Sequence, residues 1–417
     1  MDEASPCNDR TQRVQCCIAG GGPAGVMLGF LLARAGVEVL VLEKHADFLR
    51  DFRGDTVHPS TLEIMHELGL LDDFLKRPHQ EARQITGYIG DEKIPIADFT
   101  HLKSACPFVA LMPQWDFLNF LAQKAQLYPS FHLMMQANVT QLTKEKGRIV
   151  GVRAETLDGP LAVRAELVIG ADGRHSTVRR LADLVPLSLG VPIDVLWMRL
   201  ARRPTDPSQP LGRFSRGQIL IMIDRGDYWQ CALVIAKGAF GRIRQDGLAK
   251  FRATIANAAP FVRDRVDELS RWDDVKLLTV TVDRLRRWYR CGVLCIGDSA
   301  HAMSPVGGVG INLAIQDAVA TANLLAVPLL TGKLTTADLA RVQRRRELPT
   351  RIIQRLQIFV QNRVLNPVLA SRSDLAVPRI ARLLQRYPVL RRIPARIIGV
   401  GIRPEHVRSP ESTGASA

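Results

Sequence analysis

The segment Gly20-Gly21-Gly22-Pro23-Ala24-Gly25 lies between an apolar, strand-like run and a helical pattern that ends at Gly36. A second apolar run at 37–42 completes a strand–helix–strand unit, which we expect to be parallel and right-handed. Of the three spaced glycines, the first permits a tight turn and the second lets a pyrophosphate approach the backbone. The third allows the helix to pack closely on the strand. Because the helix N-terminus then faces the phosphates, the segment predicts a dinucleotide-binding site.

An acidic residue closes the second strand of this unit. Glu43 follows Gly20 by 23 residues, the position at which a carboxylate binds the hydroxyls of the adenosine ribose. A carboxylate there disfavours a 2′-phosphate, and therefore NADP, at this site. NAD and FAD are both compatible with the motif, and a glycine-rich turn in an ordinary α/β domain has the same pattern. The N-terminal unit alone therefore does not identify the ligand.

A second glycine-rich region, far along the chain, distinguishes between these ligands. Gly297-Asp298-Ser299-Ala300-His301 follows an apolar strand, and Pro305-Val306-Gly307-Gly308-Val309-Gly310 precedes a helix. Asp298 is placed to bind a hydroxyl-bearing chain such as ribityl, and three glycines leave room for a flat ring against the backbone. The N-terminus of the following helix stabilises negative charge on a reduced flavin. These features favour FAD, although a glycine-rich loop that caps a helix is the alternative.

Three segments together resemble the fingerprints of one enzyme family. They are the two segments that begin at Gly20 and Gly297, and Ala171-Asp172-Gly173-Arg174-His175-Ser176-Thr177-Val178-Arg179 between them. In order and spacing they are similar to the single-component, FAD-dependent aromatic monooxygenases of the para-hydroxybenzoate hydroxylase type (group A). The resemblance covers roughly residues 12–330. It implies non-covalently bound FAD, with NADH or NADPH as co-substrate.

The resemblance also implies roles for individual residues. Glu43 is expected at the adenosine ribose, Asp298 at the ribityl–pyrophosphate region, and Asp172 with Gly173 in a segment associated with FAD and NAD(P)H. Arg53 and Gln114 resemble polar residues that approach the cofactor. The expected cofactor-binding residues are Gly20, Gly22, Pro23, Ala24, Gly25, Glu43, Lys44, Arg53, Gln114, Asp172, Gly173, Asp298, Pro305, Gly307, Gly308, Gly310, Ile311 and Asn312.

The family's reaction is the function that the resemblance implies. NAD(P)H reduces FAD, O2 adds to the flavin as a C4a-hydroperoxide, and one oxygen atom passes to an aromatic or other electron-rich apolar small molecule. Because the cofactor supplies this chemistry, few protein residues reveal the substrate. Two alternatives stay open: a flavin-dependent dehydrogenase or reductase of the same fold, and a non-catalytic flavin-binding protein. The flavin-dependent halogenases usually carry a Trp-x-Trp-x-Ile-Pro signature, which the sequence lacks.

No residue is identified as a catalytic base. His58, His101, Asp224, Tyr228 and Trp229 have polar or aromatic side chains suited to a substrate pocket, yet such residues occur more often in cores or on surfaces. The nine histidines show no metal-ligand spacing, and the seven cysteines are scattered without a Cys-x-x-Cys pair. We therefore expect neither a metal site nor a disulfide framework.

We predict an α/β fold with three parts: a Rossmann-like FAD-binding domain, an inserted, mostly antiparallel β-sheet substrate domain, and a C-terminal helical segment. Strand-like runs dominate the sequence after residue 186, in contrast to the strand–helix pattern before it. The predicted FAD-binding domain comprises residues 1–75, 112–185 and 285–340, the substrate domain residues 76–111 and 186–284, and the basic helical segment residues 341–417.

The positive charge of the chain is concentrated in this last segment. Residues 341–417 hold sixteen arginines, no lysine and four acids, so they carry +12 of the net +15. This distribution argues against nucleic acid as a partner. A solvated helical face, a homo-oligomer contact and a peripheral contact with an anionic membrane all fit the pattern. We expect no apolar stretch as long as a membrane span, and a cytoplasmic protein.

Overall fold

A computed structural model describes residues 10–49, 56–207 and 211–412 of the chain. Within these residues the strands are β1 (Arg10–Ala19), β2 (Val39–Glu43), β3 (Thr56–Val57), β4 (Gln80–Ala82), β5 (Gln84–Ile89), β6 (Glu92–Asp98), β7 (Val109–Leu111), β8 (Phe131–Met135), β9 (Asn138–Glu145), β10 (Arg148–Thr156), β11 (Gly159–Gly170), β12 (Pro186–Ser188), β13 (Ile193–Ala201), β14 (Leu211–Ser215), β15 (Gln218–Asp224), β16 (Tyr228–Ala236), β17 (Lys276–Leu278), β18 (Asp283–Leu285), β19 (Tyr289–Arg290) and β20 (Val293–Cys295). The helices are α1 (Pro23–Arg34), α2 (Pro59–Glu67), α3 (Leu71–Leu75), α4 (Gln114–Ala125), α5 (Thr177–Leu181), α6 (Phe240–Gln245), α7 (Leu248–Ala258), α8 (Gly310–Leu330), α9 (Thr336–Val360), α10 (Asn366–Ala370), α11 (Arg379–Arg386) and α12 (Arg392–Gly399). A π-helical turn, Gln361–Leu365, joins α9 to α10.

The first sheet is an eight-stranded sheet with a parallel centre. Its strands follow the order β19-β20-β11-β1-β2-β8, and β10 and β9 extend from β11 in antiparallel pairing. From β20 to β8 every neighbouring pair is parallel, with Ala19 in register with Gly170 and Leu42. The carboxyl ends of these strands therefore share one edge, where open parallel sheets bind their ligands. The predicted strand–helix–strand unit is the β1-α1-β2 part of this sheet.

The second sheet has seven strands in the order β17-β13-β16-β15-β14-β5-β6. All its pairs are antiparallel except β14 with β5. The predicted α/β fold with an inserted, mostly antiparallel sheet is thereby confirmed. Strands β5 and β6 join this sheet from the 76–111 segment. Strands β4 and β7 of the same segment belong to a separate three-stranded sheet, in which β7 pairs with both β3 and β4. The proposed domain boundaries stay a prediction.

Helix α8 lies in the interior of the protein. The helical stretch Val306–Leu330 is 25 residues long, and its most apolar 18 residues have a mean hydropathy of 1.6. By length and composition it reaches a membrane span, so the expectation that no apolar stretch does so was wrong. Its most apolar part is 72% buried within the protein, and α8 contacts both α1 and α9. A core helix that is apolar on all sides has this composition.

The C-terminal segment packs against the rest of the chain. Helix α9 begins at Thr336, before the predicted boundary at 341, because Thr335 and Asp338 form a capping box at its start. After α12 the described chain continues without further helix to Ser412, whose N–H donates to the carbonyl oxygen of Arg34 at 2.9 Å. The segment is therefore helical in part and attached to α1 at its end.

Candidate functional site

The turn between β1 and α1 is fixed by close backbone contacts. Gly20 has a φ of +107°, and a Cβ atom there would lie 2.4 Å from the carbonyl oxygen of Ala171. A Cβ atom on Gly25 would lie 1.9 Å from the carbonyl oxygen of Gly20. Both positions therefore require glycine. At Gly22, in contrast, no atom lies within 4 Å of the Cβ position, so this glycine borders open space.

The N-terminus of α1 has the properties of an anion site. Gly22 is its N-cap, Pro23 occupies the first helical position, and no side chain caps the helix. No acidic residue stands in the first turn. The unpaired N–H groups and the positive end of the helix dipole are thus available to a phosphate beside Gly22.

Glu43 lies at the end of β2, close to this turn, and is 7% exposed. Its Oε2 accepts a hydrogen bond from the N–H of Gly21 at 2.8 Å, and its Oε1 accepts one from the N–H of His45 at 3.0 Å. A carboxylate beside the start of α1 is a suitable acceptor for a ribose hydroxyl. Lys44, the next residue, is exposed.

Asp172 holds the turn that follows β11. Its two oxygens accept hydrogen bonds from Ser176 Oγ at 2.5 Å and from the N–H of Val178 at 3.0 Å, which fixes the start of α5. Burial raises the pKa of Asp172. The sequence interpretation, which placed Asp172 in a segment associated with FAD and NAD(P)H, missed this structural role. The neighbouring Gly173 has a φ of +81° and borders open space.

The second glycine-rich region contacts the first at Gly297. A Cβ atom on Gly297 would lie 3.2 Å from Cβ of Ala24 in α1 and 3.3 Å from Cβ of Ala314 in α8. Asp298, the next residue, is partly exposed and lies 3.5 Å from Nη2 of Arg174. Two regions 277 residues apart in the chain therefore meet, and Arg174 adds a positive charge that sequence reasoning did not single out.

The loop before α8 is held in an unusual backbone conformation. Gly307 and Gly308 have φ values of +80° and +64°, and the carbonyl oxygen of Gly308 accepts a hydrogen bond from Thr56 Oγ1 at 2.9 Å. Helix α8 then begins at Gly310 without a side-chain cap or an acid in its first turn. The loop therefore presents backbone, the partly buried Pro305 and a free helix N-terminus.

Asn312, expected at the flavin, connects α8 to the start of α2. Its Oδ1 accepts hydrogen bonds from the N–H of His58 at 2.9 Å and from Thr61 Oγ1 at 2.7 Å, and its Nδ2 donates to the carbonyl oxygen of Thr56 at 3.3 Å. Its amide thus positions the chain around the loop. Ile311 beside it is buried.

Of the two remaining expected cofactor residues, the structure describes one. Gln114 is the first residue of α4 and is partly buried. Arg53 lies outside the residues that the structure describes.

The polar residues considered as pocket candidates in the second sheet serve its own structure. Trp229 is fully buried, and its Nε1 donates to Asp206 at 2.9 Å. Asp224 pairs with Arg202 at 2.8 Å and accepts the N–H of Gly226. Neither side chain is free to act on a substrate.

The remaining pocket candidates differ in exposure. His58 is buried, its Nδ1 lies 2.8 Å from the carbonyl oxygen of Ile398, and burial lowers its pKa to about 4. His101 is exposed, and Tyr228 is partly buried with Arg199 over its ring at 4.8 Å. Their geometry singles out none of them as a catalytic base.

The backbone N–H of Gly297 is bonded to a cluster of buried ionisable side chains. Asp317 accepts hydrogen bonds from the N–H of Gly297 at 3.0 Å and from Nε of Arg346 at 2.9 Å, and its Oδ2 lies 2.6 Å from Nε2 of His301. Arg346 also lies 3.3 Å from Glu405. Burial alone raises the pKa of Asp317, but His301 and Arg346 outweigh it and lower that pKa.

Arg346 corrects the interpretation of the basic segment. It was counted with a surface charge, yet it is 1% exposed because two acids from distant parts of the chain surround it. Among the described residues, no three His, Cys, Asp or Glu side chains are placed to share a metal ion.

Comparisons with known proteins agree with this geometry. Residues 13–355 match the protein family described as FAD binding domain. The 6-methylpretetramide 4-monooxygenase of Streptomyces rimosus is 32% identical over 394 residues, which cover 91% of each chain. The para-nitrophenol 4-monooxygenase of Pseudomonas sp. (strain WBC-3) is 24% identical over 344 residues, 79% of this chain and 82% of the relative.

Solved structures show the same fold. The OxyS anhydrotetracycline hydroxylase from Streptomyces rimosus superposes with a TM-score of 0.73 at 24% identity, covering 93% of this chain and 76% of the other. PqsL of P. aeruginosa in complex with 2-aminobenzoylacetate gives a TM-score of 0.72 at 20% identity, with coverage of 86% and 97%.

These findings decide between the alternatives that the sequence left open. The family match gives FAD as the cofactor, and the named relatives are monooxygenases rather than dehydrogenases or binding proteins. The predicted FAD-dependent oxidoreductase is thereby confirmed, with NAD(P)H as the co-substrate typical of its relatives. The chain belongs to the family of FAD-dependent aromatic monooxygenases.

Proposed function

We propose that the protein hydroxylates a phenolic ring of a polycyclic aromatic compound, with NADH or NADPH as electron donor and O2 as the oxygen source. The observation that carries the proposal is the 32% identity with the 6-methylpretetramide 4-monooxygenase. The match extends over 91% of both chains and is therefore not confined to the glycine-rich segments.

FAD is proposed to lie along the carboxyl edge of the first sheet. The open space at Gly22 and the uncapped start of α1 suit its pyrophosphate, and Glu43 suits the adenosine ribose. Asp298 then faces the ribityl chain, and the isoalloxazine borders Pro305 to Gly310. The contact between Gly297 and Ala24 supports this path, because one extended ligand can reach both regions.

FAD, when bound, accepts hydride from NAD(P)H and activates oxygen. The protein's own part is to bind, orient and exclude water. The N-terminus of α8 offers unpaired N–H groups and a positive dipole to negative charge at the edge of the ring. Thr56 and Asn312 hold the Gly308 carbonyl and the loop around it in place.

The substrate is proposed to bind between this loop and the second sheet. One face of that sheet is covered by α7, whose Phe251 and Ile255 share a buried cluster with Leu196 and Leu220 of the sheet. The opposite face carries Val195, Ile219 and Val234, and Leu365, Val368 and Leu369 of the C-terminal segment cover part of it. Val306 of the loop packs on the same face, so an apolar ring system that reaches the flavin is proposed to enter where Val306 borders that face.

The proposal is tested with purified protein, FAD and NADH or NADPH under isotopically labelled O2. The substrates offered are 6-methylpretetramide, anhydrotetracycline and para-nitrophenol, the first two polycyclic and the third a single ring. We expect substrate-stimulated NAD(P)H oxidation and one labelled oxygen atom in the product of a polycyclic substrate. Conversion that proceeds without O2 contradicts the oxygenation, and turnover of para-nitrophenol alone contradicts the polycyclic substrate class.

We also propose that the protein is cytoplasmic and contacts anionic membranes peripherally through the basic C-terminal surface, formed by residues 379–396. This stretch holds six arginines and no acid. Five apolar or aromatic side chains on it are between 44% and 64% exposed, namely Ile380, Leu383, Tyr387, Val389 and Ile393. Arginines interleaved with exposed apolar groups suit an interface of anionic lipid headgroups and acyl chains.

A second copy of the chain suits this surface less well than an anionic membrane does. A two-fold contact would place the same arginines opposite one another, with no acid in the stretch to neutralise them. Lipid headgroups supply the missing negative charge. The double variant Arg382→Gln/Arg386→Gln should therefore lower partitioning into phosphatidylglycerol vesicles about 30-fold, from about 1 kcal/mol per arginine.

Leu157→Ser is the matched control for co-sedimentation, since Leu157 is 77% exposed at a turn remote in sequence from this surface. We expect it to partition like the wild type. Equal partitioning of wild type and double variant, or equal binding to neutral phosphatidylcholine vesicles, contradicts the lipid contact. A change in oligomeric state of the double variant during gel filtration supports a second copy instead.

A further inference from the structure

Helix α9 presents an uncommon face to the interior. The inward positions of α9, continued by the first residue of the π-helical turn, carry polar side chains that are at most 9% exposed. At helical spacing along one side they are Gln343, Arg346, Thr350, Gln354, Gln357 and Gln361. Core-facing helix positions are normally apolar. Buried glutamine amides in this row form hydrogen bonds with backbone groups between residues 283 and 306.

Gln357 pairs with the backbone of the loop that precedes α8. Its Oε1 accepts the N–H of Ser304 at 3.2 Å, and its Nε2 donates to the carbonyl oxygens of Ser304 and Val306, both at 2.9 Å. One side-chain amide thus satisfies three backbone groups, of which the two of Ser304 are buried. An irregular buried segment has no strand partner for these groups, and leaving them unpaired is costly.

Gln354 and Gln361 bond on either side of Gln357. Nε2 of Gln354 donates to the carbonyl oxygen of Ala302 at 3.1 Å, and Nε2 of Gln361 donates to Ser304 Oγ at 2.6 Å. We call Gln354, Gln357 and Gln361 the glutamine clamp. Oε1 of Gln361 is buried without a hydrogen-bond partner among the described residues, and the π-helical turn begins at this residue. Such turns are frequent at functional sites.

The clamp acts on the part of the site proposed to border the flavin. Ser304 and Val306 flank Pro305, and the glycines of the loop follow directly. Gln357 and Gln361 lie beyond residue 355, where the family match ends. Their contribution therefore comes from the C-terminal segment and not from the matched FAD-binding region.

We propose that the glutamine clamp positions the Ser304–Val306 backbone and thereby sets how the isoalloxazine of FAD is held. The inference rests on the proposed placement of FAD. The three glutamines are positioning residues, since they act through the loop and contact neither substrate nor cofactor in the proposed arrangement. A displaced loop moves the surface on which the ring lies, so binding and orientation of the flavin change together.

The test compares Gln357→Leu with Gln343→Leu. Gln343 belongs to the same buried row, but it bonds the N–H of Trp288 at 3.1 Å and the carbonyl oxygen of Arg286 at 2.9 Å, away from the loop. Both variants remove a buried amide from α9, so both should lower the melting temperature of the apoprotein. Only Gln357→Leu should alter the loop.

Three measurements separate the two variants. Hydrogen exchange is followed by mass spectrometry in peptides that cover residues 302–309 of the apoprotein, FAD affinity by flavin fluorescence, and the flavin environment by visible absorption. For Gln357→Leu we expect faster exchange, an FAD dissociation constant raised about tenfold and a shifted absorption band. For Gln343→Leu we expect wild-type exchange in these peptides and an FAD affinity within about twofold of wild type.

Each other outcome has a definite meaning. Faster exchange with unchanged FAD affinity and spectrum overturns the inference, because the clamp then holds a loop that does not hold the flavin. An equal increase of the FAD dissociation constant in both variants also overturns the inference, since general destabilisation then explains the weaker binding. A wild-type protein that takes up no FAD overturns the proposed function itself. If Gln357→Leu does not fold, Gln361→Met replaces it, because this variant loses only the contact with Ser304 Oγ.

Discussion

Replacing Gly22 with alanine should weaken FAD binding without weakening the fold. Gly22 has φ and ψ values of −76° and −175°, which alanine adopts without strain, and no atom lies within 4 Å of its Cβ position. The free energy of unfolding of the apoprotein should therefore change by less than about 0.5 kcal/mol. A slight increase in this free energy is expected where the lower conformational entropy of alanine in the unfolded chain dominates.

The effect on binding follows from what the added methyl group displaces. If the pyrophosphate lies against the backbone at Gly22, the Cβ atom occupies its place and breaks charge-assisted hydrogen bonds to the start of α1. Each such bond is worth about 1.5–3 kcal/mol, so losing one raises the dissociation constant of FAD about 10- to 100-fold. Flavin fluorescence titration measures this constant, and thermal denaturation of the apoprotein measures the fold.

Gly25→Ala is the matched control within the same motif. A Cβ atom there would lie 1.9 Å from the carbonyl oxygen of Gly20, so α1 must move away from β1. This variant should lose about 1–3 kcal/mol of stability before any ligand is added. An FAD affinity of Gly22→Ala equal to that of the wild type would refute the placement of the pyrophosphate. A loss of stability in Gly22→Ala as large as that in Gly25→Ala would refute the conclusion that the Cβ position of Gly22 borders open space.

Three further predictions concern the site and its supports. Asp298→Asn should raise the dissociation constant of FAD about three- to tenfold by removing a charged acceptor beside the ribityl chain, and an unchanged constant in the same titration contradicts that contact. Arg346→Met should cost about 3–5 kcal/mol in urea unfolding because it leaves Asp317 and Glu405 buried without this cation; a loss below about 1 kcal/mol contradicts the buried cluster. Burial lowers the pKa of His58 from 6.5 to about 4, so the unfolded chain binds the additional proton between these values. His58 therefore does not lower the free energy of unfolding above about pH 6.5. As the pH decreases to about 4, protonation of the unfolded chain lowers this free energy by about 3 kcal/mol. Denaturant unfolding across this range should show the slope in wild type and a reduced slope in His58→Gln, and equal slopes contradict a buried neutral imidazole.

The parts of the fold that depend on local pattern were predictable. The strand–glycine–helix–strand order defines β1, α1 and β2, because tight turns, close packing and helix ends each demand particular residues within a few positions. A single long ligand that uses both glycine-rich regions requires them to meet, and the structure places Gly297 beside Ala24.

The roles that depend on distant partners were not predictable. Arg346 was assigned to a basic surface, and only the folded chain brings Asp317 and Glu405 around it. Asp172 differs, because its partners Ser176 and Val178 follow it within the same turn; it was assigned to the cofactor, and its role at the start of α5 was missed. One signal was visible and missed: uncharged glutamines recur at helical spacing within an otherwise arginine-rich helix, which indicates a face turned away from water.

The glutamine clamp has a consequence for how the protein is made. The glycine-rich segments are all synthesised by residue 310, but Gln357 and Gln361 follow some fifty residues later. Because a chain leaves the ribosome from its N-terminus, the first sheet can assemble while the loop before α8 still lacks its partners. We expect a nascent or prematurely terminated chain to contain every cofactor motif and still capture flavin poorly. Loading with FAD then becomes a late event, coupled to the completion of the polypeptide.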